Sequence, residues 1–349
     1  MRRLPIYFLI DVSESMVGVP IEQVQDGMRT IIQNLRVDPY ALETVFVSII
    51  VFAGRSKVLS PLTELYKFYP PVFPIGGGTS LGQGLECLMN DMDRNVQRTT
   101  LESKGDWKPI IFLFTDGNPT DDYAAAFRRW NEKYRRHCNL IAVSIGDNVN
   151  VLTLAQITND ILLLKDTDAD SFCKFFKWVT ASIKTTSMSV SEHNADEIKL
   201  APTSGINLEK VDPATHSGCV DENFAVLHSR CQNTKQDFLV KYSRQMQGYD
   251  GQKSYYGNSS EFKLVGAYPI NKEEYERLSS GASVRINTTL LRGVPACPCC
   301  GNQIGVVVCD CGNLFCVGES ETNECPWCGM QGTLGHGDPE GMNITRGLG

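Results

Sequence analysis

Apolar residues in the first half of the chain fall into short unbroken blocks, separated by longer stretches where they recur every three or four positions. Residues 6–10 form a block suited to a strand buried on both faces, and residues 45–52 form a second, β-branched one. Between them Ile21, Val24, Met28, Ile31, Ile32 and Leu35 keep helical spacing. After the Pro-rich segment 70–74 and the triple glycine 76–78, a helix opening near Ser80 carries Leu81, Leu85, Leu88 and Met89 on one face. Strands are predicted at 109–115, 139–145 and 161–164, helices at 121–136 and 168–184, and a short antiparallel strand at 57–59. Alternation of this kind predicts an α/β domain with a doubly wound, mainly parallel six-stranded sheet of Rossmann-like type over residues 1–185.

The pattern then changes. Ser, Thr, Asn, Asp and Glu crowd the segment after residue 185, which predicts a linker over 186–215. Beyond it, strands are expected at 224–228, 237–242, 261–268 and 282–290, with a turn-rich stretch at 248–260 and one helix at 272–278. The second module, 216–349, is therefore expected to be smaller and β-rich.

Composition narrows the functional classes. Of 349 residues 42% are hydrophobic and 21% charged, the profile of a globular rather than a disordered chain. A net charge of −7, with no run of Lys or Arg, argues against nucleic acid or an anionic membrane as partner. The apolar run before Asp11 is too short for a signal-peptide core or a membrane span. Of the thirteen cysteines, eight crowd into residues 297–328 in Cys-x-x-Cys and Cys-x-Cys spacings. That favours thiolate metal ligation in a reducing compartment over a secreted disulfide scaffold, so a cytoplasmic location is expected.

Three separated pieces carry hard-cation chemistry. Asp11-Val-Ser13-Glu-Ser15 follows the first strand, Gly78-Thr79-Ser80 opens a helix, and Thr115-Asp116-Gly117 follows a central strand. In an open α/β sheet all three would converge at the carboxyl ends of the strands. Asp11, Ser13, Ser15, Thr79 and Asp116 offer only oxygen, which suits Mg²⁺ or Mn²⁺. A first shell of Asp11 and hydroxyls leaves the dication under-neutralised, so it should attract an acidic side chain presented by a partner protein. A catalytic reading, Mg²⁺-dependent phosphoryl transfer, is the rival; Ser13 stands where such enzymes keep a second Asp, and the glycine run lacks the Lys of a phosphate-binding loop.

Two Cys-x-x-Cys knuckles, Cys297/Cys300 and Cys325/Cys328, together predict one four-thiolate zinc site. Cys309, Cys311 and Cys316 lie between them as additional candidate ligands, and spacing alone does not choose among a second site, substitution for a knuckle, or free thiols. Cys299 adds to that ambiguity. His336 is the nearest imidazole that could open a zinc site to catalysis, and the ribbon reads as structural. His216/Cys219 and His228/Cys231 form a further pair of two-ligand units, more simply read as chance spacing. Reactive exposed thiols would instead suit a metal- or oxyanion-handling protein.

Asp-x-Ser-x-Ser, the Gly-Gly-Thr helix start and Thr-Asp-Gly resemble the metal-ion-dependent adhesion site of von Willebrand factor A domains over residues 5–185. The resemblance implies that Asp11, Ser13 and Ser15 bind the ion, that Thr79 and Asp116 exchange direct and water-mediated roles, and that the strand order is 3-2-1-4-5-6. With Cys-Asp-Cys-Gly-Asn-Leu-Phe-Cys and Cys-Pro-Trp-Cys-Gly behind it, nearly the whole chain is similar to the TerY-like proteins of bacterial tellurite-resistance and chemical-stress systems. That resemblance implies partners among metal-dependent protein phosphatases and protein kinases, and the chain as a whole is expected to be a non-enzymatic binding and scaffolding protein.

Overall fold

The structure is a computed structural model, and it describes residues 2–100, 104–115, 118–145, 151–164, 169–191, 208–210, 224–244, 261–279, 284–318, 322–333 and 341–347. The chain divides into two compact units: Met1–Val12, Val19–Phe73 and Thr79–Val220 form the first, and Ser13–Gly18, Pro74–Gly78 and Asp221–Gly349 the second.

In the first unit the elements are β1 (Leu4–Asp11), α1 (Val19–Arg36), α2 (Pro39–Thr44), β2 (Val45–Phe52), β3 (Ser56–Glu64), α3 (Leu81–Asn95), β4 (Ile110–Thr115), α4 (Ala124–Lys133), β5 (Asn139–Ile145), α5 (Val151–Ala155), β6 (Asp160–Leu164), α6 (Ala169–Ser191) and β7 (Leu208–Lys210). They build one sheet in the order β3-β2-β1-β4-β5-β6-β7. The six-strand order 3-2-1-4-5-6 is therefore present, with β3 antiparallel to β2 and the strands from β2 to β6 parallel. The seventh strand corrects the expectation of a linker: Leu208–Lys210 pairs antiparallel with β6 and covers an edge that would otherwise expose unpaired backbone groups. Three residues, Leu208, Glu209 and Lys210, carry no period long enough to show this in sequence.

Every residue of β1 and β4 is buried, as central parallel strands covered by helices on both faces require. Side chains alternate between two layers. Tyr7, Leu9, Ile50, Phe52, Leu113 and Ile111 pack with Leu85, Leu88 and Met89 of α3 and with Phe127 and Trp130 of α4. On the other face Phe8 stacks on Phe112 at 5.7 Å, and Phe114 on Phe176 of α6 at 6.1 Å. Among the described residues no helix is long and apolar enough to cross a membrane.

The second unit contains β8 (Phe224–Arg230), β9 (Asp237–Arg244), β10 (Phe262–Pro269), α7 (Lys272–Leu278), β11 (Val284–Asn287), β12 (Leu291–Arg292), β13 (Val306–Val308), β14 (Leu314–Cys316), β15 (Thr322–Glu324), β16 (Gln331–Thr333) and β17 (Asn343–Arg346). Its main sheet runs β12-β10-β9-β8-β14-β13, with β11–β17 and β15–β16 as two small pairs. β8 and β9 form an antiparallel hairpin, whereas β14 joins β8 in parallel, placing Leu314 beside Ser229 and Phe315 beside Arg230. α7 begins where the Asn271 side chain accepts a hydrogen bond from the Glu274 amide at 3.2 Å. Within this unit the buried Lys241 ammonium donates to the carbonyls of Ser15 and Val17, so its charge is solvated by backbone oxygen.

Candidate metal centres

The first candidate centre starts at the carboxyl ends of β1 and β4. The two strands are parallel neighbours with Ile10 opposite Phe114, so Asp11 and Thr115 follow side by side at the same sheet edge. The Thr115 hydroxyl donates to Asp11 Oδ2 at 2.7 Å, fixing the carboxylate, and both residues are buried. Thr79, also buried, is anchored by its backbone: its amide donates to Thr120 Oγ1 at 2.9 Å and its carbonyl accepts from the Thr120 amide at 2.7 Å. Those bonds leave the side chain unused. Among the described residues Thr79 Oγ1 is a buried oxygen without a hydrogen-bond partner. Such a group costs free energy unless something else completes it, and a cation would.

Chain direction places Ser13 and Ser15 two and four residues beyond Asp11, in the loop that holds the 3₁₀ turn Glu14–Met16. Both are buried and their hydroxyls are 3.0 Å apart. Asp116 falls outside the described residues. Helix α3, which Thr79 precedes, lacks a side-chain cap from Ser80; Asp121 supplies it instead, accepting from the Gln83 amide at 3.1 Å and the Gly82 amide at 3.4 Å. Burial pushes the Asp121 carboxyl upward against those two amide donors.

The second unit holds the clustered cysteines, and their arrangement corrects the single zinc site expected from two knuckles. The Cys297/Cys300 and Cys325/Cys328 knuckles belong to different sets. Sulfurs of Cys231, Cys297, Cys300 and Cys316 lie within 4.8 Å of one another, and so do those of Cys309, Cys311, Cys325 and Cys328. Topology is the reason. The parallel pairing of β14 with β8 carries Cys316 to the end of the β8–β9 hairpin, where Cys231 sits, and the Cys309 turn is left to meet the later knuckle.

Each set is assembled from tight turns. Cys297 donates its amide to the Asn302 carbonyl and accepts from the Gly301 amide, and Cys325 does the same with Met330 and Gly329. Gly301, Gly329 and Gly312 adopt φ of +74°, +76° and +84°, which explains the glycine after each second cysteine. Cys231 occupies the same turn, bonded to Gln236 and Lys235, but Lys235 takes the left-handed position at φ 59° and Thr234 stands where the knuckle's second cysteine would be. Lacking both signals, Cys231 showed in sequence only its spacing from His228, and the chance reading of that unit is corrected for Cys231, which joins a thiol set.

Amide donors point at these sulfurs. The Thr234 amide lies 3.4 Å from Cys231 Sγ and the Gln232 amide 3.3 Å from Cys316 Sγ. Burial raises the Cys231 thiol, but the Thr234 and Asn233 donors more than offset it and bring it to about 7. Burial pushes Cys316 upward, and neighbouring Cys297 adds to that. Four crowded sulfurs cannot ionise together in a dry site without a cation among them, so the residues present fit a thiolate-bound metal. Cys299 adjoins the first set without joining it, its thiol pushed by burial to about 12.

His228 is not a ligand of either set. Its Nε2 lies 3.0 Å from Asp237 Oδ2, while Arg230 Nε donates to Asp237 Oδ1 at 2.6 Å. His216, Cys219 and His336 fall outside the described residues.

Comparison with known families matches residues 6–177 to the von Willebrand factor type A domain and residues 221–349 to the TerY-C metal binding domain. The chain joins a von Willebrand factor type A domain to a TerY-C metal binding domain. Among curated proteins it is 26% identical over 165 residues to inter-alpha-trypsin inhibitor heavy chain H2 of Sus scrofa, covering 44% of this chain and 17% of that one. Heavy chain H1 of the same species is 24% identical over 163 residues, with 44% and 18% covered. The chain thus spans under a fifth of the length of these relatives. Similar solved structures include a von Willebrand factor type A protein from Catenulispora acidiphila (16% identity, 53% of this chain and 43% of that chain, TM-score 0.40). Another is proximal thread matrix protein 1 from the mussel byssus with a zinc-occupied MIDAS motif (17% identity, 53% and 46% covered, TM-score 0.37). The type A domain with its C-terminal metal-binding domain is a metal-binding, protein-interaction module.

Proposed function

We propose that this protein is a non-enzymatic adaptor that grips a partner through Mg²⁺ or Mn²⁺ held by Asp11, Ser13, Ser15, Thr79 and Asp116. The unpartnered, buried Thr79 Oγ1 is the observation that carries this reading. With only oxygen donors and few charges, the ion would keep net positive charge and take an acidic side chain of the partner as a further ligand. In the second domain, Cys231, Cys297, Cys300 and Cys316 would hold one zinc ion and Cys309, Cys311, Cys325 and Cys328 another, stabilising a small β-rich recognition surface. The TerY-C match supports a place in a tellurite-resistance or chemical-stress system of the cytoplasm, with a metal-dependent protein phosphatase and a protein kinase as partners.

Capture on the immobilised full-length chain in Mg²⁺ buffer tests the grip. Replacing Asp11 by Ala removes the first-site charge and leaves every thiolate in place, so a partner retained by the wild type should be lost from Asp11→Ala. Equal retention by both proteins would contradict the reading.

A further inference from the structure

The two cysteine sets are chemically unequal. In the inner set Cys231 and Cys316 are 0% exposed, Cys297 is 1% exposed and Cys300 is half-buried. Cys231, Cys297 and Cys316 belong to the main apolar core of the domain, with Leu227, Phe238, Ile286 and Ile344. In the outer set Cys309 and Cys325 are buried, but Cys311 and Cys328 are exposed. Its apolar cover is a small separate cluster containing Phe315 and Val317, flanked by Val307 and Trp327. Solvent, chelators and oxidants can therefore reach two exposed cysteines of the outer set, while three of the four inner cysteines are buried among core side chains and the fourth, Cys300, is half-buried.

We propose that the outer set, Cys309, Cys311, Cys325 and Cys328, is a site of oxidative thiol modification that releases its metal to peroxides, whereas the inner set retains its metal as the fold's fixed point. This inference rests on the two-zinc reading above. Chemically, the exposed Cys328 thiolate attacks one oxygen of hydrogen peroxide, the O–O bond breaks, and hydroxide leaves. Cys309, whose sulfur is 3.6 Å away, then attacks the sulfenic sulfur and displaces its oxygen as a second hydroxide. Two thiolates lose two electrons to form one disulfide, peroxide gains them, and the two hydroxides are neutralised to two waters by two protons from the acid form of the buffer. Two ligands are thereby withdrawn from the metal.

Trp327 connects that event to the inner set. It stands between Cys325 and Cys328, and its indole N–H donates to the Leu314 carbonyl at 2.7 Å, at the start of the strand that ends in Cys316. The Arg230 guanidinium lies 3.7 Å from its ring centroid, and the His228 ring meets it edge-on at 5.3 Å. Arg230 directly precedes Cys231. Rearrangement of the outer knuckle would disturb Trp327 beside this cation and change its emission, giving the oxidised state a surface different from the reduced one.

The test uses the full-length protein, with zinc counted by native mass spectrometry before titration with hydrogen peroxide. Zinc release is followed with a chromophoric chelator, tryptophan emission is recorded, and disulfides are mapped by alkylation. One of two ions should leave first, with a disulfide confined to Cys309, Cys311, Cys325 and Cys328, and with an emission change absent from Trp327→Phe. Cys328→Ser should hold one ion that resists the same peroxide dose. Simultaneous release of both ions, or a first disulfide among Cys231, Cys297, Cys300 and Cys316, would overturn the inference alone. Fewer than two ions at the outset would overturn the two-zinc reading with it.

Discussion

Thr79 shows how a single side chain can separate a structural role from a binding one. Its backbone does the structural work through Thr120, and its buried hydroxyl contributes nothing to the fold without a metal. Thr79→Val should therefore leave metal-free stability unchanged or slightly raised, because an unsatisfied buried oxygen costs about 1–3 kcal/mol. The same variant should bind Mg²⁺ at least tenfold more weakly by calorimetry; a large loss of metal-free stability would argue for a structural hydroxyl. Asp237 is the opposite case, a buried carboxylate fully used. Burial raises its pKa, but His228 and Arg230 more than offset this and hold it at about 2, below the ordinary 3.8. A group depressed in the folded state adds stability that is complete above the unfolded pKa and is lost as pH falls through the folded one. Asp237→Asn should thus cost about 2 kcal/mol in urea unfolding at pH 7, with the deficit closing between about pH 4 and pH 2. A deficit that stays constant with pH would show that packing, not charge, is what Asp237 contributes.

At the scale of elements, helix α1 and helix α6 approach so closely that a Cβ on Gly27 would lie 1.9 Å from the Phe176 ring. In an open helix Gly→Ala gains up to about 1 kcal/mol, but here the ring, stacked on Phe114, would have to move, and overpacking of this kind costs about 1–3 kcal/mol. Gly27→Ala should lower the thermal midpoint, and a rise would mean that the helices slide apart freely. Helix α1 itself was legible in sequence because Val24, Met28, Ile31, Ile32 and Leu35 recur at helical spacing, and the helix expected at 272–278 is present, capped by Asn271. The short pieces were not. β7 has three residues, and β13 to β16 three each, too few for any period to appear. Partner choice among the cysteines was hidden for a different reason: it is set by the parallel pairing of β14 with β8, a contact across more than eighty residues that local spacing does not encode.

Across the molecule, the candidate site of the first domain offers hydroxyls and carboxylate and the second domain offers thiols, so under the proposed function one chain would sort hard from soft cations by donor type. The all-oxygen piece after β1 was readable from the sequence because Asp11, Ser13 and Ser15 are adjacent, and the convergence of Asp11 with Thr115 followed from strand order. Asymmetry between the two thiol sets was not readable, since exposure depends on which apolar residues cover each sulfur. Sorting by donor type leads to the central claim, that the first domain's oxygens bind a hard dication independently of the thiolates. Calorimetric titration of Mg²⁺ into full-length wild type and Asp11→Ala, with zinc counted in both, tests this most directly. The account predicts one Mg²⁺ for the wild type, none for Asp11→Ala, and the same two zinc ions in each; equal Mg²⁺ uptake by both proteins would contradict it.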